Sequence, residues 1–146
     1  MLRYYLLIGG MGFLGAVIRF ALENVVGQSG FPVGTLAINV TACFVLVIVY
    51  SYVGRRLHVS LPLVRGMGVG FLGAFSTLSA FSNETLGLWQ SGGYLTAALY
   101  VAATSIGCFL AALAGVYCSR GFAQLRLRRL RAKRAQARRE GEGGAK

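Results

Sequence analysis

Apolar residues do not alternate with polar ones along this chain, and they do not recur only at every third or fourth position. They run nearly unbroken in four blocks, from about Tyr4 to Val26, Phe31 to Val53, Leu63 to Trp89 and Tyr94 to Cys118. A helix needs about 20 apolar residues to cross the hydrocarbon core of a bilayer, and each block supplies that. Lipid offers no hydrogen bonds to the backbone, so a crossing segment must satisfy its own amides and carbonyls, which predicts helices. The links Gly27–Gly30, Gly54–Pro62 and Gln90–Gly93 are short. The pattern predicts an all-α polytopic membrane protein with four transmembrane helices over residues 1–119, followed by a tail over 120–146.

Composition supports lipid as the solvent. Hydrophobic residues make up 55% of the 146 residues and charged residues 13%, where a soluble domain carries about 25% charged. The mean hydropathy is +0.62. That excludes a disordered chain and leaves a soluble fold of this size without the polar surface it needs. The net charge of +11 is uneven: from Arg120 onward there are ten basic and two acidic residues. The high isoelectric point therefore belongs mostly to the tail and does not mark a nucleic-acid binder. Cys43, Cys108 and Cys118 show no CxxC spacing, so no disulfide or metal framework follows. His58 is the only histidine, which argues against a histidine-based metal or catalytic centre. No cleavable leader is evident at the N-terminus, because Arg19 interrupts the first apolar run.

Polar residues at membrane depth are costly unless they are paired or functional, so they carry the functional signal. Arg19 sits in the last turns of the first span with Glu23 four residues on, which allows either a local pair or a free cation. Thr35, Asn39 and Cys43 form a stripe on the second span, and Tyr100, Thr104 and Cys108 form one on the fourth with Ser105 beside it. The common use of such groups is interhelical glue. In the third span, glycines at 66, 68, 70 and 73 precede Ser76, Thr77, Ser79, Ser82, Asn83 and Glu84. That composition weakens a helix and predicts a break near mid-membrane, where exposed carbonyls and amides serve as ion ligands. The donors are hydroxyls, one amide and electropositive aromatic edges, without an acidic array for cations. The residues alone point to an anion pathway. Four helices barely enclose one, so an oligomer is expected.

Three segments carry a family resemblance. Gly12-Phe13-Leu14-Gly15-Ala16-Val17-Ile18-Arg19-Phe20, Gly34-Thr35-Leu36-Ala37-Ile38-Asn39-Val40, and the run from Gly73 to Glu84 fall in order on the first three spans. Over about the first 118 residues the chain resembles the Fluc (CrcB) family of fluoride channels. The resemblance implies an antiparallel dimer with two fluoride pores and no catalysis. It implies a structural, untransported Na+ at the dimer centre, held by backbone carbonyls that fall here on Gly73 and Ser76. Pore or vestibule positions fall on Asn39, Phe81, Leu78, Thr35, Ser79, Tyr100, Thr104, Glu84 and Arg19. The chain departs from the family pattern at Leu78, where the first pore phenylalanine is expected. It departs also at Ala80 for threonine, at Cys108 for serine and at Ser76 for the first threonine of a pair. The implied function is passive fluoride efflux across a bacterial plasma membrane.

Charge around the links sets the expected topology. Arg55, Arg56 and Arg65 lie in or beside the second link, on the side of Arg3 and the tail, whereas the first and third links hold no Lys or Arg. The positive-inside rule places both termini in the cytoplasm. One preferred orientation raises two expectations, a homodimer or a heterodimer with an oppositely oriented homologue. The basic segment Arg126–Arg139 is helix-competent and suited to anionic lipid headgroups, and no platform for nucleic acid accompanies it. Gly141–Lys146 is expected to be disordered. The competing transport reading is a small four-helix proton-coupled multidrug-resistance-type exporter, which wants a carboxylate deep in the first helix. A membrane anchor with a basic tail is a third reading, and it leaves the three motifs without a purpose.

Overall fold

The computed structural model describes residues 2–26, 30–54 and 59–143. Most of the first link, together with Arg55, Arg56 and His58 of the second, lies outside the described residues. The described residues contain helix and no strand. The helices are α1 (Leu2–Val26), α2 (Val33–Ile48), α3 (Leu61–Arg65), α4 (Gly73–Phe75), α5 (Leu78–Gln90) and α6 (Tyr94–Gly143). α2 runs on as a π-helical stretch over Val49–Gly54, and a second such stretch, Gly66–Leu72, joins α3 to α4. Four stretches are long and apolar enough to cross a membrane: Leu2–Val25, Val33–Gly54, Leu61–Gln90 and Tyr94–Leu125. These are the four apolar blocks of the sequence, shifted by a few residues at their ends. The protein is a multi-pass membrane protein.

Packing is divided between two helix pairs. α1 lies along the π-helical stretch Gly66–Leu72 and α4, while α2 lies along α6. The buried apolar core between them is built from Ile38, Ala42 and Val49 on the second span with Val64, Leu72 and Phe75 on the third. Outside it, large apolar side chains such as Phe13, Leu95 and Phe109 point away from the protein, as lipid-facing residues do. Where α1 meets the third span the backbones touch. A Cβ on Gly70 would sit 2.6 Å from the Ile8 carbonyl oxygen, and one on Gly15 would collide with the Phe71 backbone. With little hydrophobic drive between helices in lipid, such close approach is what supplies packing energy. The third link closes by a different device. Gly92 takes φ 82° and its N–H reaches the Trp89 carbonyl, while Gly93 N–H reaches Leu88, ending α5 in a left-handed turn.

The fourth helix departs from expectation. Its apolar part ends near Leu125, but the helix continues without interruption to Gly143, 50 residues in all. At 1.5 Å per residue that is about 75 Å, against a hydrocarbon core of about 30 Å. From Gln124 to Arg139 the sequence is Ala, Leu, Arg, Lys and Gln alone, all strong helix formers, so nothing stops the helix at the membrane surface. Gly141–Gly143 belong to it rather than to a disordered end, and Gly144–Lys146 lie outside the described residues.

The α1 contact gives a direct test. Gly70→Val should lower the melting temperature of the detergent-purified protein by several degrees, since overpacking costs about 1–3 kcal/mol. Gly121→Ala, whose Cβ meets nothing within 4 Å, should leave it unchanged or slightly raised. Equal melting curves for Gly70→Val and the parent chain would show that the two backbones are not in contact.

Candidate functional site

Within the third span, helical backbone stops at Phe75. Ser76 (φ −74°, ψ 156°) and Thr77 (φ −144°, ψ 119°) are extended, and helix resumes at Leu78. The cause lies in which donors the segment uses. Asn39 on α2 brackets Thr77: its Oδ1 accepts from the Thr77 N–H at 2.8 Å, and its Nδ2 donates to the Thr77 carbonyl at 3.0 Å. Thr77 Oγ1 in turn accepts the Ala80 N–H at 3.1 Å, capping α5. In an unbroken helix the N–H groups of Thr77 and Ala80 would serve the carbonyls of Gly73 and Ser76. Both N–H groups are engaged by side-chain oxygens instead.

One turn before Asn39 on α2, Thr35 Oγ1 donates to Glu84 Oε1 at 2.7 Å. Tyr100 OH, on α6, donates to Glu84 Oε2 at 2.6 Å. Both carboxylate oxygens therefore accept, in short charge-assisted bonds. Tyr100 is fully buried. The Phe31 ring meets it edge-on with centroids 5.5 Å apart, and the Phe81 ring lies 5.2 Å away at 45°. Thr35 and Thr104 both lie beside the Tyr100 hydroxyl. Thr104 is 7% exposed, and its Oγ1 has no hydrogen bond of good geometry among the described residues.

Beyond this knot lies a cavity of about 300 Å³ between α2, the start of α5 and α6. Of the sequence-predicted positions, Asn39, Ser76, Leu78, Phe81 and Thr104 share its wall. Thr35, Glu84 and Tyr100 form the adjoining hydrogen-bonded knot rather than the wall itself. Ser79 is exposed on α5 and its hydroxyl lies 3.2 Å from Thr77 Oγ1. Gly73 is exposed. Leu78 lines the cavity yet is 76% exposed. Arg19 is not brought to the site. It pairs along α1 with Glu23 at 3.6 Å, and α1 makes no contact with α5 or α6 among the described residues.

Sequence reasoning counted Thr77 among the hydroxyls that weaken the third helix but did not single it out as a site residue, although it is the buried residue on which the Asn39 bracket closes. It also left out Ser105, Cys43 and Cys108 as wall residues. The two cysteines lay on the polar stripes but read as small hydrophobes. No cluster of three or more His, Cys, Asp or Glu exists among the described residues.

The Asn39 bracket is testable as a structural element. Asn39→Asp keeps the acceptor for Thr77 N–H and loses the donor to its carbonyl, a cost of about 1–3 kcal/mol for an orphaned buried group. Asn39→Ala loses both. The melting temperature in detergent should fall in the order parent, Asp, Ala, and a parent-like Ala variant would remove the bracket from the fold's supports.

A family described as CrcB-like protein, Camphor Resistance (CrcB), matches residues 6–116. The chain is 44% identical over 104 residues to "Fluoride-specific ion channel FluC 2" of Listeria monocytogenes serovar 1/2a, covering 71% of this chain and 81% of that protein. It is 44% identical over 99 residues to "Fluoride-specific ion channel FluC" of Shewanella sp. (strain ANA-3), covering 66% and 79%. It is 35% identical over 113 residues to "Fluoride-specific ion channel FluC 1" of Latilactobacillus sakei, covering 77% and 84%. With four apolar helices and a match running through nearly all of them, the chain belongs to the CrcB-like protein family.

Proposed function

We propose that this protein is a fluoride-specific channel, through which fluoride leaves a bacterial cell passively across the plasma membrane and cytoplasmic fluoride falls. The observation that carries the reading is the family membership, with relatives at 35–44% identity named fluoride-specific ion channels. The site's chemistry supports it. Its wall offers a neutral amide, hydroxyls, thiols and the Phe81 ring, donors that can replace part of an anion's hydration without binding it as a fixed cation would. The channel is no enzyme. The exporter alternative has no support: α1 carries Glu23 in its last turns, already paired with Arg19, and no carboxylate deeper in.

The channel works as an antiparallel dimer. Ser79, Ser82 and Asn83 are exposed on α5 of the single chain, and lipid leaves such groups unsatisfied, so a second subunit covers them. Pairing requires an oppositely oriented partner, either this chain or a homologue. The break at Ser76–Thr77 lies near mid-membrane, and a structural Na+ sits at the dimer centre on carbonyls of Gly73 and Ser76 from each subunit. This chain's residues fit that role, because the regular donors to both carbonyls are taken by Asn39 and Thr77, leaving hard oxygen ligands free to turn toward a cation. The basic segment from Arg126, where the helix leaves the bilayer, brings its first positive charges beside anionic headgroups of the cytoplasmic leaflet.

Purified protein in liposomes should release fluoride in a sodium-dependent manner. Phe81→Ile should cut the rate at least ~tenfold, about 1.4 kcal/mol of barrier, while Leu78→Phe should preserve or raise it. Absence of flux at every sodium concentration rejects a self-sufficient homodimer, and flux restored by a co-expressed homologue assigns the heterodimer. C-terminal reporter fusions should mark the cytoplasm predominantly; an even split between the two sides defeats the single-orientation reading.

A further inference from the structure

The polar contacts between α2 and α6 form rungs in register. Thr35 lies beside Tyr100, Asn39 and Thr104 share the cavity wall one turn on, and Cys43 and Cys108 follow one turn further. Each step is four residues on both helices, which the parallel course of the two spans requires. The last rung is the unusual one. Both cysteines are free and half-buried, and both line the cavity from facing helices. The helices that carry them approach closely on either side. A Cβ on Gly107 would sit 3.0 Å from Val40 Cγ2, and one on Gly115 would sit 2.9 Å from the Phe44 carbonyl oxygen. The pair is thus held by backbone packing rather than by flexible loops. Beside it, the buried Thr104 hydroxyl lacks a good hydrogen bond and belongs to the same cavity wall. That is a second sign that the cavity takes a ligand.

We propose that Cys43 and Cys108 form a two-coordinate site for a thiophilic cation in the wall of this cavity, with Hg(II) as the ion it fits best. Two thiolates in line on one metal span roughly 4.6 Å, twice a metal–thiolate bond of about 2.3 Å, a separation within reach of side-chain rotation for two thiols that line one cavity from closely packed helices. With no third His, Cys, Asp or Glu in a cluster among the described residues, ions that demand four ligands, such as Zn(II), are not served. Soft thiolates select soft metals. Charge narrows the choice further. Loading releases both thiol protons to solvent and forms two S–Hg bonds, so the product is neutral. A monovalent ion on two thiolates would leave a net negative charge at membrane depth, where charge is expensive. The bis-thiolate has no S–H group, so the wall loses two donors and gains a heavy atom. Resting on the channel reading, loading therefore blocks fluoride passage.

The test uses full-length protein in which Cys118, exposed and outside the cavity, is replaced by Cys118→Ser. Hg(II) is titrated in detergent against millimolar glutathione, which strips singly bound metal, and bound metal is counted by native mass spectrometry and by the sulfur-to-metal absorption band. One Hg(II) per chain should be retained. Adding Cys43→Ser or Cys108→Ser should weaken retention by roughly 10²–10⁴, the effective-concentration advantage of a second ligand. Alanine at either position serves as the check for a variant that loses its native elution profile. Equal retention in the single-thiol variants overturns the site. In liposomes, Hg(II) should stop fluoride efflux by the Cys118→Ser protein, and dithiothreitol should restore it. Stoichiometric loading with unchanged efflux overturns the blocking role. A protein that binds Hg(II) as expected but never conducts fluoride, alone or with a co-expressed homologue, leaves the site standing and refutes the channel reading instead.

Discussion

One side-chain amide organises the centre of this molecule. Asn39 gives its oxygen and one N–H to the backbone of Thr77, and those two bonds let the third span leave helical geometry inside an apolar bundle. Backbone groups stranded in such a medium cost several kcal/mol each, so an interruption persists only where a neighbouring element supplies replacements. Asn39 replaces what Thr77 would have lost, and Thr77 does the same for Ala80. The exchange moves two N–H groups away from the carbonyls of Gly73 and Ser76, leaving both without their regular helical donors.

The rest of the arrangement follows from where polar groups are permitted. Almost all large apolar side chains on the outer faces of α1 and α6 look outward, because lipid makes no demand for their burial. Hydroxyls, amide, carboxylate and thiols collect between α2, α5 and α6. Glu84 shows how fully they are used: both of its oxygens accept short hydrogen bonds from hydroxyls on two other helices, so the span's one carboxylate is held in place by neutral donors. Phe81 and Phe31 flank the same tyrosine, which couples the aromatic positions to the carboxylate knot. On the opposite side of the bundle, Gly15 and Gly70 bring α1 against the third span, a purely steric contact that fixes the frame on which the polar side is built.

Much of the site was legible because helical spacing is so restrictive. Thr35 and Asn39, like Tyr100 and Thr104, stand four residues apart on predicted helices, so each pair had to share a face. What spacing does not give is the partner of each group. Arg19 and Glu23 could be read as a local pair or as a functional cation, and spacing alone does not show that in the single chain they lie 3.6 Å apart on a helix that does not touch α5 or α6. Thr77 was not singled out as a site residue because the Asn39 bracket closes on its backbone, whose N–H and carbonyl are identical in every residue type. Cys43 and Cys108 escaped because cysteine in an apolar run is ordinarily a small hydrophobe, and 64 intervening residues hide that the two line one cavity.

By itself the sequence determined the solvent, the number of crossings and the class of chemistry. Continuous apolar runs admit one backbone solution in lipid, and family motifs in fixed order carry their own constraint. It also determined that the segment Arg126–Arg139 is helix-competent, whereas its unbroken continuation of α6 is a finding of the structure. Tertiary structure decided which polar groups meet. Hydrogen bonds are short and directional, and whether Asn39 faces Thr77, or Cys43 faces Cys108, depends on how two helices are rotated and offset against each other. That rotation is set by glycine contacts and side-chain volumes across helices far apart in the chain, which no local pattern records.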